Sequence, residues 1–370
     1  MLSQQRTFES RIDYSLLLPV LLLLSIGVTA IYIAVSHDYP NNVLQIVGQQ
    51  VVWILLGFLI SFIVMFFNTK FLWKMTPFLY LLGLGLMVLP LVFYSESLVA
   101  STGAKNWVSI RGVTLFQPSE FMKISYILML SRVVVKFLQQ NKKYERTIAL
   151  DLFLIVKLAL YTLPVLLLLA LQSDLGTALV FAAIYCGIVL LSGVSWKIIL
   201  PVFLTVSLLF TVFMLIFISN GGRAFLHGLG MPTYQINRIS AWLHPFEYAQ
   251  TVTYQQAQGQ IAIGSGGLLG QGFNVSNLLV PVRESDMIFT VIAEDFGFLG
   301  SSLVIVIYLF LIHRMLQITI KSNNQFYTYI STGLIMMLLF HIFENIGAVT
   351  GILPLTGIPL PFISQGGSSI

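Results

Sequence analysis

Charge is what this chain has least of. Of its 370 residues only 9% are Asp, Glu, Lys or Arg, while 57% are hydrophobic. Soluble domains carry about 25% charged residues. A soluble fold is therefore excluded, and the composition is that of a polytopic membrane protein. Cysteine is reduced to one, Cys186, inside an apolar run, so no disulfide framework exists. A cleavable leader is also missing. Arg6 and Arg11 precede an apolar run at 15–35 that lacks a small-residue cleavage site and reads as an uncleaved first span. No internal repeat is visible, which leaves the inverted-repeat logic of many transporters without support. The net charge of +5 does not imply a nucleic-acid partner, because its distribution encodes topology.

About 20 apolar residues cross a bilayer core as a helix. That length predicts nine spans, at 15–35, 46–67, 75–95, 115–136, 152–171, 175–192, 198–218, 287–312 and 326–347. With the N-terminus in the cytoplasm, twelve basic residues fall at the inner side (Arg6, Arg11, Lys70, Lys74, Arg132, Lys136, Lys142, Lys143, Arg146, Lys197, Arg314, Lys321). Five fall outside: Lys105, Arg111, Arg223, Arg238 and Arg283. Basic residues concentrate on the cytoplasmic side, so the N-terminus is predicted inside. Four unusual segments then share the outer face: 101–120, 171–177, the large loop 219–286, and 350–370. The chain reaches Ile370 without a tenth span or a polar tail, and a tenth helix is expected beyond it.

Five constellations stand out against this apolar background. In the first, Glu120 and Lys123 are three apart after Pro118, on one face of a helix that Pro118 suits at its first turn. Ionisable groups in a span are costly and face a bundle interior. The pair is either a structural ion pair or a cation for phosphate with its orienting partner. In the second, Gln172-Ser173-Asp174-Leu175-Gly176-Thr177 forms a hairpin in which Asp174 or Ser173 suits a helix cap. The third lies in the large loop, where Gly264, Gly266, Gly267, Gly270 and Gly272 allow turns and close approach of backbone. No Gly-Lys-Ser/Thr follows, so this is not a phosphate-cradling Walker loop. In the same loop, 237–243 suits a short interfacial helix with Trp242 at headgroup depth, and Asn274-Val275-Ser276 matches a glycosylation sequon.

The fourth constellation is Arg283-Glu284-Ser285-Asp286, where the polar loop dives back into apolar sequence. Asp286 is either a helix cap, stabilised by free amides and the helix dipole, or a carboxylate placed to work on a lipid-borne substrate. Glu294 and Asp295 are adjacent and so point to different helix faces, which rules them out as a two-carboxylate pair by spacing. The fifth is His341, Glu344 and Asn345 in the last span. A packed hydrogen-bond network is expected there rather than a metal, since no second ligand cluster has metal spacing.

In order, the chain carries Gln117-Pro118-Ser119-Glu120-x-x-Lys123, Gln172-x-Asp174-Leu175-Gly176-Thr177, Ile263-Gly264-Ser265-Gly266-Gly267-x-x-Gly270-x-Gly272, Asp286-x-Ile288-Phe289, and Gly357-Ile358-Pro359-Leu360-Pro361-Phe362-Ile363-Ser364-x-Gly366-Gly367-Ser368. Together these resemble the SEDS family (shape, elongation, division and sporulation), with the RodA-like elongation branch nearer than the FtsW-like division branch. The resemblance runs from about residue 15 to the end. It implies an all-α bundle of ten transmembrane helices in one domain over 1–370, nine of them visible, with a large extracellular loop between the seventh and eighth. It also implies peptidoglycan polymerisation from lipid II on the outer face of the bacterial cytoplasmic membrane, for cell elongation and shape. The implied partners are the elongation machinery and a class B penicillin-binding protein that supplies transpeptidation. The family's essential acid falls on Asp286. This chain departs from the pattern at Glu284-Ser285, where His-Thr is frequent, and at Met287, where Phe is usual. Gln271 stands where a basic residue is common, and Gln365 where Tyr precedes Gly-Gly-Ser.

On this reading Asp286 is the catalytic base. Lys123, with Glu120 beside it, Arg111 and Arg238 are candidate cations for a diphosphate. Asp174, Gln172, Ser265, Gly266, Gly267 and Ser364 are the further candidate substrate-binding positions. A good diphosphate leaving group removes the need for the second carboxylate of a glycosidase. No dedicated metal cage is visible, and no cofactor is assigned, although a divalent cation, magnesium or manganese, can share the charge neutralisation. Two rival classes remain: a flippase for lipid II, and a non-catalytic scaffold for the transpeptidase.

Overall fold

The computed structural model describes residues 12–110, 113–247, 254–273, 275, 278 and 280–367. Among these, nine long helices fall on the nine predicted apolar stretches: α1 (Tyr14–Asp38), α2 (Val43–Val64), α3 (Thr69–Val92), α5 (Pro118–Gln140), α6 (Ile148–Leu171), α7 (Leu175–Leu191), α8 (Trp196–Ile218), α12 (Ile288–Lys321) and α13 (Gln325–Val349). Seven of them are long and apolar enough to cross a membrane. Of the other two, α7 has only 17 residues and α5 carries Glu120, Lys123, Arg132 and Lys136. Short helices fill the connections: α4 (Glu96–Thr102), α9 (Gly222–Gly228), α10 (Thr233–Leu243) and α11 (Tyr254–Ser265).

Helix starts follow local chemistry. Asp13, Thr147, Asp174, Ser195 and Asn324 each accept a main-chain N–H of the first turn, which satisfies donors that the helix leaves orphaned. One expected boundary moves. The span predicted from 115 begins at Pro118, because Val108–Ile110 (β1) and Val113–Phe116 (β2) pair as an antiparallel hairpin, with Val108 opposite Phe116 and Ile110 opposite Val113. Pro118 lacks the N–H that a ladder needs and fits a first helical turn.

The chain forms two compact units. One comprises 1–74, 254–331 and 338–370; the other comprises 75–253 and 332–337. The core of the first is α1 against α12. Leu23, Ala30, Ile31 and Ala34 belong to the same buried cluster as Val304, Ile307, Tyr308 and Leu311, and Leu360 and Ile363 of the C-terminal segment join it. Gly27 makes that insertion possible, since a Cβ there would lie 2.8 Å from the backbone of Phe362 and Ile363. Arg314 ties α12 to the start of α1 by donating to Asp13 at 2.7 and 3.0 Å.

The second unit is built on α5, which is buried along most of its length. Tyr126 on α5 and Thr162 on α6 share a hydrogen bond of 2.8 Å, and the Tyr126 ring meets Phe181 edge to face at 5.1 Å. Gly83 lets α3 approach Met122 and Ser125. By contrast α8 buries only Phe217. The charged helix is inside, and α8, whose one charge is Lys197 in its first turn, is outside. That inversion of the soluble pattern is what a hydrocarbon solvent requires, since polar groups must find partners within the protein.

Candidate active site

Asp286 closes a run of turns, 281–287, between the large loop and α12. The cap position of α12 is Met287, and the helix opens without a side-chain cap. The cap position thus falls one residue past Asp286. Its Oδ1 is buried. Its Oδ2 faces Gly357, where a Cβ would lie 3.7 Å away and where φ is +78°, a conformation that favours glycine.

The main chain around the acid is gripped at three consecutive carbonyls. The amide of Gln365 donates to Glu284 O at 2.9 Å. Ser364 Oγ donates to Ser285 O at 2.7 Å, and Asn345 Nδ2 donates to Asp286 O at 2.7 Å. The gripping groups are themselves fixed. Ser364 Oγ accepts from Leu360 N at 2.8 Å, and Asn345 Nδ2 also donates to Ile358 O at 2.8 Å. Gln50 of α2 holds the same segment from the other side, donating to Ser364 O at 3.2 Å and accepting from Gly366 N at 2.9 Å. Thr356 donates to Glu344, and Tyr308 to Pro361 O. The network expected around Glu344 and Asn345 is thus present, and it is built around the acid loop.

The electrostatics of this loop are crowded. Arg283 is fully buried and forms an ion pair with Glu294. Burial lowers the Arg283 pKa, partly offset by the charges of Asp295 and Asp38. Burial pushes the Glu284 carboxyl up; a hydrogen bond from its own backbone offsets part of this, and the charge of Asp38 adds to the rise. Glu284 Oε2 is buried and accepts no hydrogen bond among the described residues. The Glu284 charge in turn raises the Tyr39 phenol.

The glycine-dense segment has a structural use. α12 is broken at Gly297, whose φ of 62° and ψ of −158° are not helical. A straight helix of this length would reach about 50 Å, beyond a hydrocarbon core of about 30 Å. The segment after α11 docks on the break. Gln271 N donates to Glu294 O at 2.8 Å, and Phe298 N donates to Gly267 O at 2.9 Å. A Cβ at Gly266 would sit 1.9 Å from Ala293 O, and one at Gly270 would sit 2.1 Å from Asp295 O. Ser265 Oγ turns back to Ala262 O at 2.8 Å.

In the other unit, Lys123 and Glu120 form the predicted ion pair at 2.8 Å; Lys123 is buried and Glu120 half-buried. Asp174 caps α7 through Thr177 N at 3.0 Å. It also accepts from Thr177 Oγ1 at 2.8 Å, Asn106 Nδ2 at 2.8 Å and Gln117 Nε2 at 3.4 Å. Gln172 Nε2 donates to Met87 O at 2.6 Å, and its carbonyl accepts from Lys105 N at 2.8 Å. Arg238 is half-buried on α10, the short helix expected near 237–243. Arg111 and the sequon at Asn274 lie outside the described residues. Sequence reasoning missed Gln50 and Asn106 altogether and did not connect Asn345 with the acid. For Gln50 and Asn345 the only signal was an amide side chain in an apolar helix, which demands a partner but does not name it, and Asn106 lies in the connection between α4 and β1.

A multi-pass helical membrane protein with a carboxylate held at a helix mouth is the class that fold and site define. The family model for the cell cycle proteins FtsW, RodA and SpoVE matches residues 14–370, and this chain belongs to that family. It is 31% identical to the peptidoglycan glycosyltransferase MrdB of Escherichia coli (strain K12), over 99% of this chain and 92% of MrdB. A chain from a peptidoglycan synthase complex, solved to explain how polymerization and crosslinking are coordinated, superposes with a TM-score of 0.75 at 27% identity, covering 97% of this chain and 93% of that one. The rod shape determining protein RodA of Thermus thermophilus gives 0.65 at 25% identity, covering 97% and 91%.

Proposed function

We propose that this chain is a peptidoglycan glycosyltransferase with Asp286 as its general base. It moves the growing glycan chain from a lipid-linked donor to the 4-hydroxyl of lipid II, on the outer face of the cytoplasmic membrane. Similarity to MrdB across nearly the whole chain supports the reaction class. The observation that carries the base assignment is the placement of Asp286: it sits one residue before the cap position of α12, at the helix mouth, with its main chain pinned.

In this reading the 4-oxygen of the acceptor attacks the donor's anomeric carbon. The bond from that carbon to the diphosphate oxygen breaks, and its electron pair leaves with the lipid diphosphate. The hydroxyl proton goes to Asp286. A positioned base contributes about 10²–10⁴-fold. Direct displacement inverts the anomeric configuration. The diphosphate needs charge neutralisation rather than a proton. Lys123, held by Glu120, is the cation proposed for it, with Arg238 and Arg111 as weaker ones. Among the described residues no three His, Cys, Asp or Glu side chains gather as a metal cage. A magnesium or manganese ion arriving with the diphosphate would add positive charge there. A class B penicillin-binding protein is the proposed partner, consistent with the likeness to a chain of a polymerising and crosslinking complex.

The test is polymerisation of labelled lipid II by the purified full chain with its partner. Asp286→Asn, inserted and folded, is expected to lose at least about 10²-fold in rate. Normal glycan synthesis by that variant would refute the base assignment. Lipid scrambling in liposomes without polymer would replace the enzyme reading with transport.

A further inference from the structure

Three residues reach the carbonyls of Glu284, Ser285 and Asp286, and one of them has few other engagements. Asn345 is 1% exposed. Its amide nitrogen spends both protons on main-chain oxygens, Asp286 O at 2.7 Å and Ile358 O at 2.8 Å. Two carbonyls at those distances need a donor, which fixes the amide with nitrogen toward them. Its Oδ1 is buried and accepts no hydrogen bond among the described residues. The side chain is therefore oriented by its two donations. One holds the residue that bears the carboxylate. The other holds Ile358, directly after Gly357, whose face meets Asp286 Oδ2. A single amide thus sets both the acid and the wall it rests against.

We propose that Asn345 is a positioning residue for Asp286: it fixes the carboxylate relative to the reacting atoms without touching substrate. This rests on the reading of Asp286 as the base. A packing role alone would need only an apolar side chain of the same branched shape, so a leucine would serve. A positioning role needs at least one donor. A misplacement of about 1 Å can cost about 10²-fold in rate, whereas uniform substrate binding appears in KM.

The experiment compares Asn345→Leu, which keeps the branched heavy-atom frame of asparagine, and Asn345→Asp, which also keeps its volume, in the full chain with its transpeptidase partner. Labelled lipid II gives kcat and KM separately, and thermal melting in detergent reports folding. Asn345→Leu is expected to lower kcat about 10²-fold with KM within about threefold of the parent. Asn345→Asp is expected to retain more activity, about a tenth of the parent, because a buried carboxyl is protonated and keeps one donor. Its kcat should fall further as pH rises and the donor is lost, relative to the parent at each pH. The inference is overturned if Leu keeps kcat within about threefold, if Leu outperforms Asp, or if the loss falls on KM alone. Should Asn345→Leu fail to fold, the pH profile of Asn345→Asp decides: parental kcat at high pH overturns it. Asp286→Asn runs beside them. If it polymerises normally, the base reading fails; if it is inactive while the Asn345 variants are unimpaired, only the present inference fails.

Discussion

Glu284, two residues before the proposed base, is a carboxyl in the wrong place for a charge. Its Oε2 is buried and unbonded among the described residues, and burial and Asp38 both raise its pKa. The folded state therefore holds its proton more tightly than the unfolded chain does. That contribution is fully present below the ordinary glutamate range and is lost as pH rises through the raised value. Glu284→Gln is thus expected to melt at a higher temperature than the parent at pH 8, with the gap closing by pH 4. Melting curves across that range check it, and a constant gap would remove the assigned cause. Residues were legible in the sequence where their partners were close. A cap for α7 at Asp174 or Ser173 follows from their place before Leu-Gly-Thr, with Asp174 the one that bonds Thr177 N, and Glu120 with Lys123 follows from a spacing of three. Asn106, 68 positions from Asp174, and Asn345, 59 from Asp286, lay beyond any local pattern, because only tertiary packing brings such pairs together.

At the level of elements, hydrocarbon thickness did most of the specifying, which is why nine apolar stretches read correctly as nine long helices. The departures have causes of their own. The β1–β2 hairpin went unread in the outer segment 101–120, and only the end of β2 was taken into the span predicted from 115, although alternation in Val-Ser-Ile and Val-Thr-Leu-Phe suits paired strands. The break in α12 was also unseen, since a lone glycine in a helical run is tolerated. Its role depends on the segment docked against it. A Cβ at Gly297 would lie 2.3 Å from Gly270 N, and its φ is +62°. Gly297→Ala should therefore cost about 2–4 kcal/mol, from strain at a left-handed position plus a backbone clash. Lower accumulation and an earlier melt would report it. A variant as stable as the parent would mean the docking is not tight. The glycine-dense segment, open in the sequence between a flexible loop and a ligand cradle, packs on backbone at Gly266 and Gly270.

For the molecule as a whole, the burial of α5 and the exposure of α8 were foreshadowed by their charge, while the two compact units were not. One unit takes both ends of the chain because α1 packs on α12, and periodicity within a helix says nothing about such distant partners. Orientation is a separate matter, drawn from the bias of basic residues. It predicts that position 142 is cytoplasmic and position 228 external. Cys186 is the one cysteine, so Cys186→Ala gives a clean background. In intact cells an impermeant maleimide should label Gly228→Cys and spare Lys142→Cys; the reverse would invert the topology and move the proposed site inside.

The bonds that fix the acid loop end on carbonyl oxygens, and a carbonyl belongs to every amino acid. The identity of the side chains beside Asp286 is therefore of little concern to the grip that Asn345, Ser364 and Gln365 exert. This is a physical licence for sequence drift. Glu284-Ser285 can stand where the family resemblance leads one to expect His-Thr, and Gln365 where it leads one to expect Tyr, since Gln365 contributes its backbone amide to Glu284. What such a site must keep across divergent sequences is the shape of its main chain and the acid itself.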